Sequence, residues 1–102
     1  MKFEKKLVIL SGENNAKGTV TLENNAYGTF ATLNVYNIPD LVSGEYAVGI
    51  KNADQVFTRK LGSMGRILSR FKIGDMSLCG IHTVIYCTAT ETPVLYGHTP
   101  DA

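Results

Sequence analysis

The segment ENNAKGT at residues 13–19 returns ten residues later as ENNAYGT at residues 23–29. Asparagine and glycine tolerate the positive φ that tight reversals between strands require. Each copy leads into a stretch of strand-forming residues, first 19–22 and then 29–36. Reversals at this spacing predict an antiparallel meander, so we interpret the repeat as two similar turns rather than a duplicated binding loop.

The rest of the chain repeats this pattern of short β-rich segments separated by Gly, Asn, Asp and Pro. Residues 45–51 alternate most clearly, with Tyr46, Val48 and Ile50 on one face. The remaining strands are predicted at residues 5–10, 55–61, 66–73, 81–90 and 94–96. The best candidate for a helix is segment 64–71, and residues 40–43 could form a single helical turn, but apolar residues keep no helical spacing over a longer stretch.

Eight short strands with no helix to cover a sheet must pack two sheets together or close into a barrel. The sequence therefore predicts an all-β fold, an antiparallel β-sandwich (immunoglobulin-like or a flattened barrel) of seven or eight strands. Its expected core is Phe30 or Leu33, Val35, Tyr46, Val48, Ile50, Phe57, Ile67, Phe71, Val84 and Tyr86. Residues 1–97 suit one domain in size, and 98–102 resemble a tail or linker, which predicts the N-terminal domain of a longer protein.

Composition is that of a globular domain, with 44% apolar and 19% charged residues, and a net charge of +1 selects no class of partner. The apolar run at 7–10 is too short for a signal peptide, and no stretch is long enough to span a bilayer. We therefore expect a cytoplasmic protein without a membrane partner. Cys79 and Cys87 lack a CxxC spacing, which predicts two buried free thiols.

Candidate chemistry is sparse. A zinc site needs three or four ligands, and His82 and Cys87, five positions apart on one predicted strand, point to opposite faces. Cys79 and His82 also face oppositely, so they do not form a nucleophile–base pair. The chain has no GxSxG elbow and no phosphate-binding glycine loop. We expect no catalytic residues, no metal and no cofactor, and hence a protein that is not an enzyme.

Charge is concentrated in one segment. Residues 55–74 contain no acidic residue but hold half of the ten lysines and arginines, namely Arg59, Lys60, Arg66, Arg70 and Lys72. We expect these residues in one hairpin, with Arg66, Arg70 and Lys72 on the same face because their spacing is even. The hairpin is either a solvated surface that discourages edge pairing or a site for an anionic ligand or acidic partner. Nucleic acid is the less favoured partner, since aromatic residues for base stacking are scarce.

The leading hypothesis is a non-catalytic protein-interaction or structural module, whose partner is another protein or a second copy of the chain in a homodimer. Binding of an anionic ligand by the basic hairpin is the first alternative. A carbohydrate-binding module is the second, because Tyr27, Tyr36, Tyr86 and Tyr96 could line a sugar site, although such sites favour tryptophan, which the chain lacks.

Overall fold

A computed structural model describes residues 3–13 and 15–102 of the chain. It places eight strands, all within this described part: β1 (Glu4–Gly12), β2 (Lys17–Asn25), β3 (Gly28–Tyr36), β4 (Tyr46–Lys51), β5 (Val56–Gly62), β6 (Ile67–Gly74), β7 (His82–Cys87) and β8 (Thr92–His98). Each overlaps a predicted strand, and the described residues contain no helix. The helical alternatives at 64–71 and 40–43 are therefore wrong. No helix with the length and apolarity to cross a membrane exists in the described residues.

All eight strands belong to one antiparallel sheet in the order β5-β4-β7-β8-β1-β2-β3-β6. The meander β1-β2-β3 contributes one part of the sheet, and the hairpins β4-β5 and β7-β8 contribute another. The sheet curls until its two edge strands, β5 and β6, approach each other. The result is a nearly closed, barrel-shaped sheet, which confirms the predicted all-β antiparallel class.

The two copies of the repeat form different turns, so the prediction of similar turns is wrong. In the first copy Asn15 adopts a φ of 64°, and the Ala16 amide donates to the Glu13 carbonyl at 3.1 Å. In the second copy Asn25 pairs with Gly28, whose φ is 125°. The second copy therefore makes a tighter reversal, starting later in the repeat. Asn14 lies outside the described residues.

The core is enclosed by the inner face of the curled sheet. Leu33, Val35, Tyr46, Val48, Ile50, Ile67 and Phe71 are buried as predicted, and Phe57 packs against them half-buried. Val84 and Tyr86 are exceptions, since Thr83 and Ile85 are the fully buried residues of β7. Both faces of β7 carry apolar side chains, so alternation alone cannot identify the inner face.

One end of the barrel is crossed by the connection from β3 to β4, residues 37–45. Its Leu41 amide donates to the Ser63 carbonyl at 2.8 Å, and its Ile38 amide donates to the Gly65 carbonyl at 3.4 Å. The Tyr46 hydroxyl donates to the Pro39 carbonyl at 2.6 Å. These bonds tie the connection to the turn between β5 and β6 and so fix the position of that turn.

The last residues pack onto the loop that precedes β7. Thr99 is fully buried, its hydroxyl accepts from the Ile81 amide at 3.0 Å, and its own amide donates to the Ile81 carbonyl at 2.9 Å. The Asp101 carboxylate accepts from the Gly80 amide at 3.1 Å. The segment predicted as a tail therefore contributes hydrogen bonds to the domain.

Candidate functional site

The basic segment does not form the predicted hairpin. Strands β5 and β6 are consecutive in the chain but lie at the two ends of the strand order, with β5 bonded to β4 and β6 bonded to β3. No backbone ladder joins β5 to β6 in the described sheet. We call the gap between β5 and β6 the seam.

Side chains bridge the seam on the inner face of the sheet. The rings of Phe57 on β5 and Phe71 on β6 stack with centroids 5.6 Å apart and planes inclined by 16°. The Arg59 guanidinium lies 5.0 Å from the centre of the Phe71 ring, a cation–π distance. These contacts hold the two edges together while leaving both strands without a ladder partner along the seam.

The two cations of β5 lie on different faces of the sheet. Arg59 has the same orientation as Phe57 and covers the Phe71 ring. Lys60 has the opposite orientation and lies 3.7 Å from the Glu45 carboxylate, in a pair whose lysine side chain is 77% exposed. Such an exposed pair contributes about 0–1 kcal/mol, so the Glu45 carboxylate holds Lys60 only weakly.

The cations of β6 line the outer face, as their even spacing predicts. Arg70 and Lys72 are both exposed on this strand, and Arg66 is exposed in the turn just before it. Arg70 lies 3.4 Å from the Glu23 carboxylate and 4.5 Å from the centre of the Phe30 ring. The seam is thus bordered by cations from both edges and from the connecting turn, with Arg59 alone on the inner side.

A second candidate site lies on the outer face of β4, β5, β7 and β8. Here the sheet forms a groove of about 460 Å³ above Gly49, and the aromatic rings of Tyr86 and Tyr96 contribute to its lining. His82 Nδ1 lies 2.7 Å from the Tyr96 hydroxyl, and the His98 ring lies about 6 Å from both of those rings. Tyr27 and Tyr36 lie at opposite ends of β3, away from this groove.

The sequence analysis named Tyr86 and Tyr96 as candidates for a sugar site, but it also assigned Val84 and Tyr86 to the core and therefore did not locate the groove. The signal was available in the spacing of β7 and β8: His82 pairs with His98 and Val84 pairs with Tyr96. Two antiparallel strands with aromatic or imidazole side chains at alternate positions bring those rings together on one face.

The two cysteines are free, and neither is fully buried, so the prediction of buried thiols is wrong. Cys87 is half-buried in a cavity of about 530 Å³ at one end of the barrel, beside Tyr46 and Leu41. Hydrogen bonds from the Ala89 backbone and from Thr90 lower the pKa of the Cys87 thiol. Cys79 is exposed, and its hydrogen bond to the Asp101 carboxylate raises the pKa of that thiol.

His82 contacts Tyr96 on the outer face, whereas Cys87 faces the barrel end, which agrees with their predicted opposite orientations. No set of three or more histidine, cysteine or acidic side chains is arranged to hold a metal ion within residues 3–13 and 15–102. Comparison with protein-family models, curated proteins and solved structures finds no match for this chain.

Proposed function

We propose that this chain is a non-catalytic protein-interaction module that binds an acidic partner along the seam. One observation carries the proposal: the only two edges in the described sheet lie side by side, and both edges and their connecting turn are basic without an acidic residue. Edge strands offer unpaired backbone groups, and clustered cations attract carboxylates.

The present partners of these cations leave them available. The Lys60–Glu45 and Arg70–Glu23 pairs are exposed, with distances of 3.7 and 3.4 Å, and exposed pairs exchange partners at little cost in free energy. The outer faces of the two edge strands carry Lys60, Arg70 and Lys72, whose side chains now contact Glu45, Glu23 and the Gly28 region. A carboxylate-rich partner would draw these flexible side chains toward the seam. The local charge thus supports an anionic partner although the whole chain is nearly neutral.

Two other partners are disfavoured by the same geometry. Homodimerisation through two β5 or two β6 edges would bring like charges together, which opposes strand pairing. Nucleic acid would gain phosphate contacts but no stacking from the aromatic pair at the seam, because the Phe57 and Phe71 rings pack on each other. A protein segment rich in aspartate or glutamate therefore fits the seam better than either alternative.

The test is binding of poly-glutamate by the whole chain, measured by calorimetry over a range of salt concentrations. We expect binding at low salt that weakens as salt rises, and a loss of about tenfold or more in the double variant Arg66→Glu, Arg70→Glu. The matched control is Lys17→Glu, Lys51→Glu, which removes two exposed cations outside the seam. Absence of binding at low salt, or an equal loss in the control, contradicts the proposal.

Two finer assignments belong to the same proposal. We class the sheet as a flattened barrel rather than an immunoglobulin-like sandwich, on the strength of the Phe57–Phe71 contact across its two edges. We place the protein in the cytoplasm, which free thiols at Cys79 and Cys87 favour because secreted domains commonly pair their cysteines.

A second candidate function is carbohydrate binding in the groove above Gly49. It is favoured by Tyr86 and Tyr96, whose rings could stack on a pyranose, and by the polar His82 beside them. Titration with a panel of oligosaccharides tests it, with Tyr96→Ala as the site variant and the exposed Tyr27→Ala as the control. A lack of response from every sugar in the panel excludes this candidate.

A further inference from the structure

We infer that the partner occupies the seam as an extended segment that adds a strand to the free edge of β5 and alternates acidic with apolar residues. The inference rests on the proposed function, since it names how the same surface would hold its acidic partner. The backbone of β5 and the side chains on both edges of the seam support it independently.

The backbone argument begins at the turn between β4 and β5. The Asn52 amide donates to the Gln55 carbonyl at 3.0 Å, which makes these two residues a hydrogen-bonded pair. Hydrogen-bonded and non-hydrogen-bonded pairs alternate along an antiparallel ladder. The register Lys51↔Val56, Ile50↔Phe57, Gly49↔Thr58 and Val48↔Arg59 therefore directs the amides of Phe57 and Arg59 toward β4. The amides and carbonyls of Val56, Thr58 and Lys60 point the other way, into the seam.

The backbone groups of Val56, Thr58 and Lys60, at alternate positions of the seven-residue strand β5, provide the donors and acceptors for an added antiparallel or parallel strand. Because β5 and β6 form no ladder with each other, a strand added to β5 replaces no backbone hydrogen bond between the two edges. In this mode of recognition main-chain hydrogen bonds supply affinity, and alternate side chains supply specificity.

The side chains of the seam specify an alternating partner. On the outer face the cations nearest to an added strand are Lys60, Arg70 and Lys72, which would turn toward it from their present contacts with Glu45, Glu23 and the Gly28 region. On the inner face it meets Phe57, Leu61 and Phe71, which are half-buried or buried against the core. Successive side chains of a strand point to opposite faces. A strand in the seam would therefore place acidic residues against the cations of the outer face and apolar residues against the aromatic side chains of the inner face. The same cations that repel a second copy of β5 thus favour this partner.

The probe is a short blocked peptide of alternating valine and glutamate, titrated into the full chain. A peptide with the same composition but N-methylated at alternate residues keeps all the charges and loses the backbone donors. We expect the unmethylated peptide to bind about tenfold or more tightly than the methylated one. Equal affinity of the two peptides overturns strand addition but leaves the proposed acidic-partner function intact, whereas no binding of either peptide or of poly-glutamate removes both.

A matched pair of variants tests the protein side. Thr58→Pro removes one amide that points into the seam and spares the β4–β5 bonds, because proline is tolerated on edge strands with this orientation. Thr58→Ala shortens the same exposed side chain but keeps the amide. We expect Thr58→Pro to weaken peptide binding about tenfold and Thr58→Ala to leave it within about twofold. Equal binding by the two variants, with each folded by circular dichroism, contradicts the inference.

Amide hydrogen exchange gives a readout that requires no variant. The Thr58 and Lys60 amides should exchange rapidly in the free chain and slow at least about tenfold when the alternating peptide is present. The Phe57 and Arg59 amides should be slow in both states because β4 already protects them. If the peptide binds without slowing Thr58 and Lys60, the partner lies on the surface of the seam and does not form a strand there.

Discussion

The Phe57 ring of one edge strand stacks on the Phe71 ring of the other edge strand, with 5.6 Å between their centroids. This aromatic pair joins the two ends of the sheet where no backbone ladder does so. Because Arg59 covers the same Phe71 ring at 5.0 Å, one side chain from β6 and two from β5 bridge the gap between the two edges. The partner that we propose would therefore contact the same side chains that bridge the two edges.

Phe71→Ala should lower the free energy of unfolding by about 3–5 kcal/mol, since Phe71 is only 6% exposed and its loss leaves both a cavity and an uncovered edge. Urea denaturation followed by circular dichroism measures the change. The control is Leu68→Ala on the outer face of the same strand, where 70% exposure predicts a change within about 0.5 kcal/mol. Similar losses in the two variants would show that Phe71 does not close the seam.

Gly97→Ala should destabilise the domain by about 1–3 kcal/mol, because an added Cβ would lie 2.3 Å from the Ile9 carbonyl oxygen and force β8 away from β1. Gly49→Ala is the matched control: its Cβ would meet Val84 Cγ1 at an ordinary 3.4 Å, and alanine is favoured over glycine in strands by about 0.5–1 kcal/mol. Thermal melting of both variants checks the contrast. A stable Gly97→Ala protein would mean that the β1–β8 contact is looser than described.

The sequence predicts the positions of the strands well but does not predict which strands pair with each other. Alternation identified Tyr46, Val48 and Ile50 as inward residues because polar or small residues separate them in β4. In β7 valine, isoleucine and tyrosine occupy both faces, so the inner face is decided by pairing with β4 and β8, which local pattern does not contain. The seam was missed for the same reason, since two consecutive strands with a short turn normally pair, and here tertiary contacts of residues 37–45 hold the turn elsewhere.

Thr83→Val should raise the free energy of unfolding by about 1 kcal/mol. The Thr83 hydroxyl is fully buried on the inner face of β7 and has no hydrogen-bond partner among the described residues, so valine removes an unsatisfied group at nearly constant volume. Thr83→Ser is the control, because it keeps the hydroxyl and loses a buried methyl, which predicts a loss of about 1 kcal/mol. Chemical denaturation measures both changes in the free energy of unfolding. A destabilised valine variant would show that the Thr83 hydroxyl does have a hydrogen-bond partner.

Asp101→Asn should remove a contribution to stability that depends on pH. Hydrogen bonds from Thr99, Cys79 and Gly80 hold the pKa of Asp101 well below its ordinary value of 3.8. Because the folded pKa is depressed, the contribution is fully present above the unfolded value and is lost as the pH falls below it toward the folded value. The melting temperatures of the wild type and the variant should thus differ at pH 7, and the difference should shrink steadily as the pH falls below 3.8. Asp54→Asn, in the exposed β4–β5 turn, is the control, and a gap that stays constant with pH contradicts the assignment.

Cys87 should react with iodoacetamide faster than Cys79 at neutral pH, although Cys79 is the more exposed thiol. The thiolate is the reactive form, and hydrogen bonds from Ala89 and Thr90 lower the pKa of Cys87 while the Asp101 carboxylate raises the pKa of Cys79. The cavity of about 530 Å³ beside Cys87 gives a small reagent access. Alkylation rates of the single-thiol variants Cys79→Ser and Cys87→Ser, measured against pH, test this order.

The same alkylation measurement shows whether hydrogen bonding or solvent exposure determines which of the two cysteines reacts faster. Thr90→Val removes one donor to the Cys87 sulfur, so the pKa of Cys87 should rise and its alkylation at pH 7 should slow, while the rate at Cys79 stays unchanged. Asp101→Asn should have the opposite effect on Cys79, whose pKa should fall once the neighbouring carboxylate is neutral. If Cys79 reacts first in the wild type and neither substitution changes the order, solvent access controls the reactivity of both thiols and the hydrogen bonds do not.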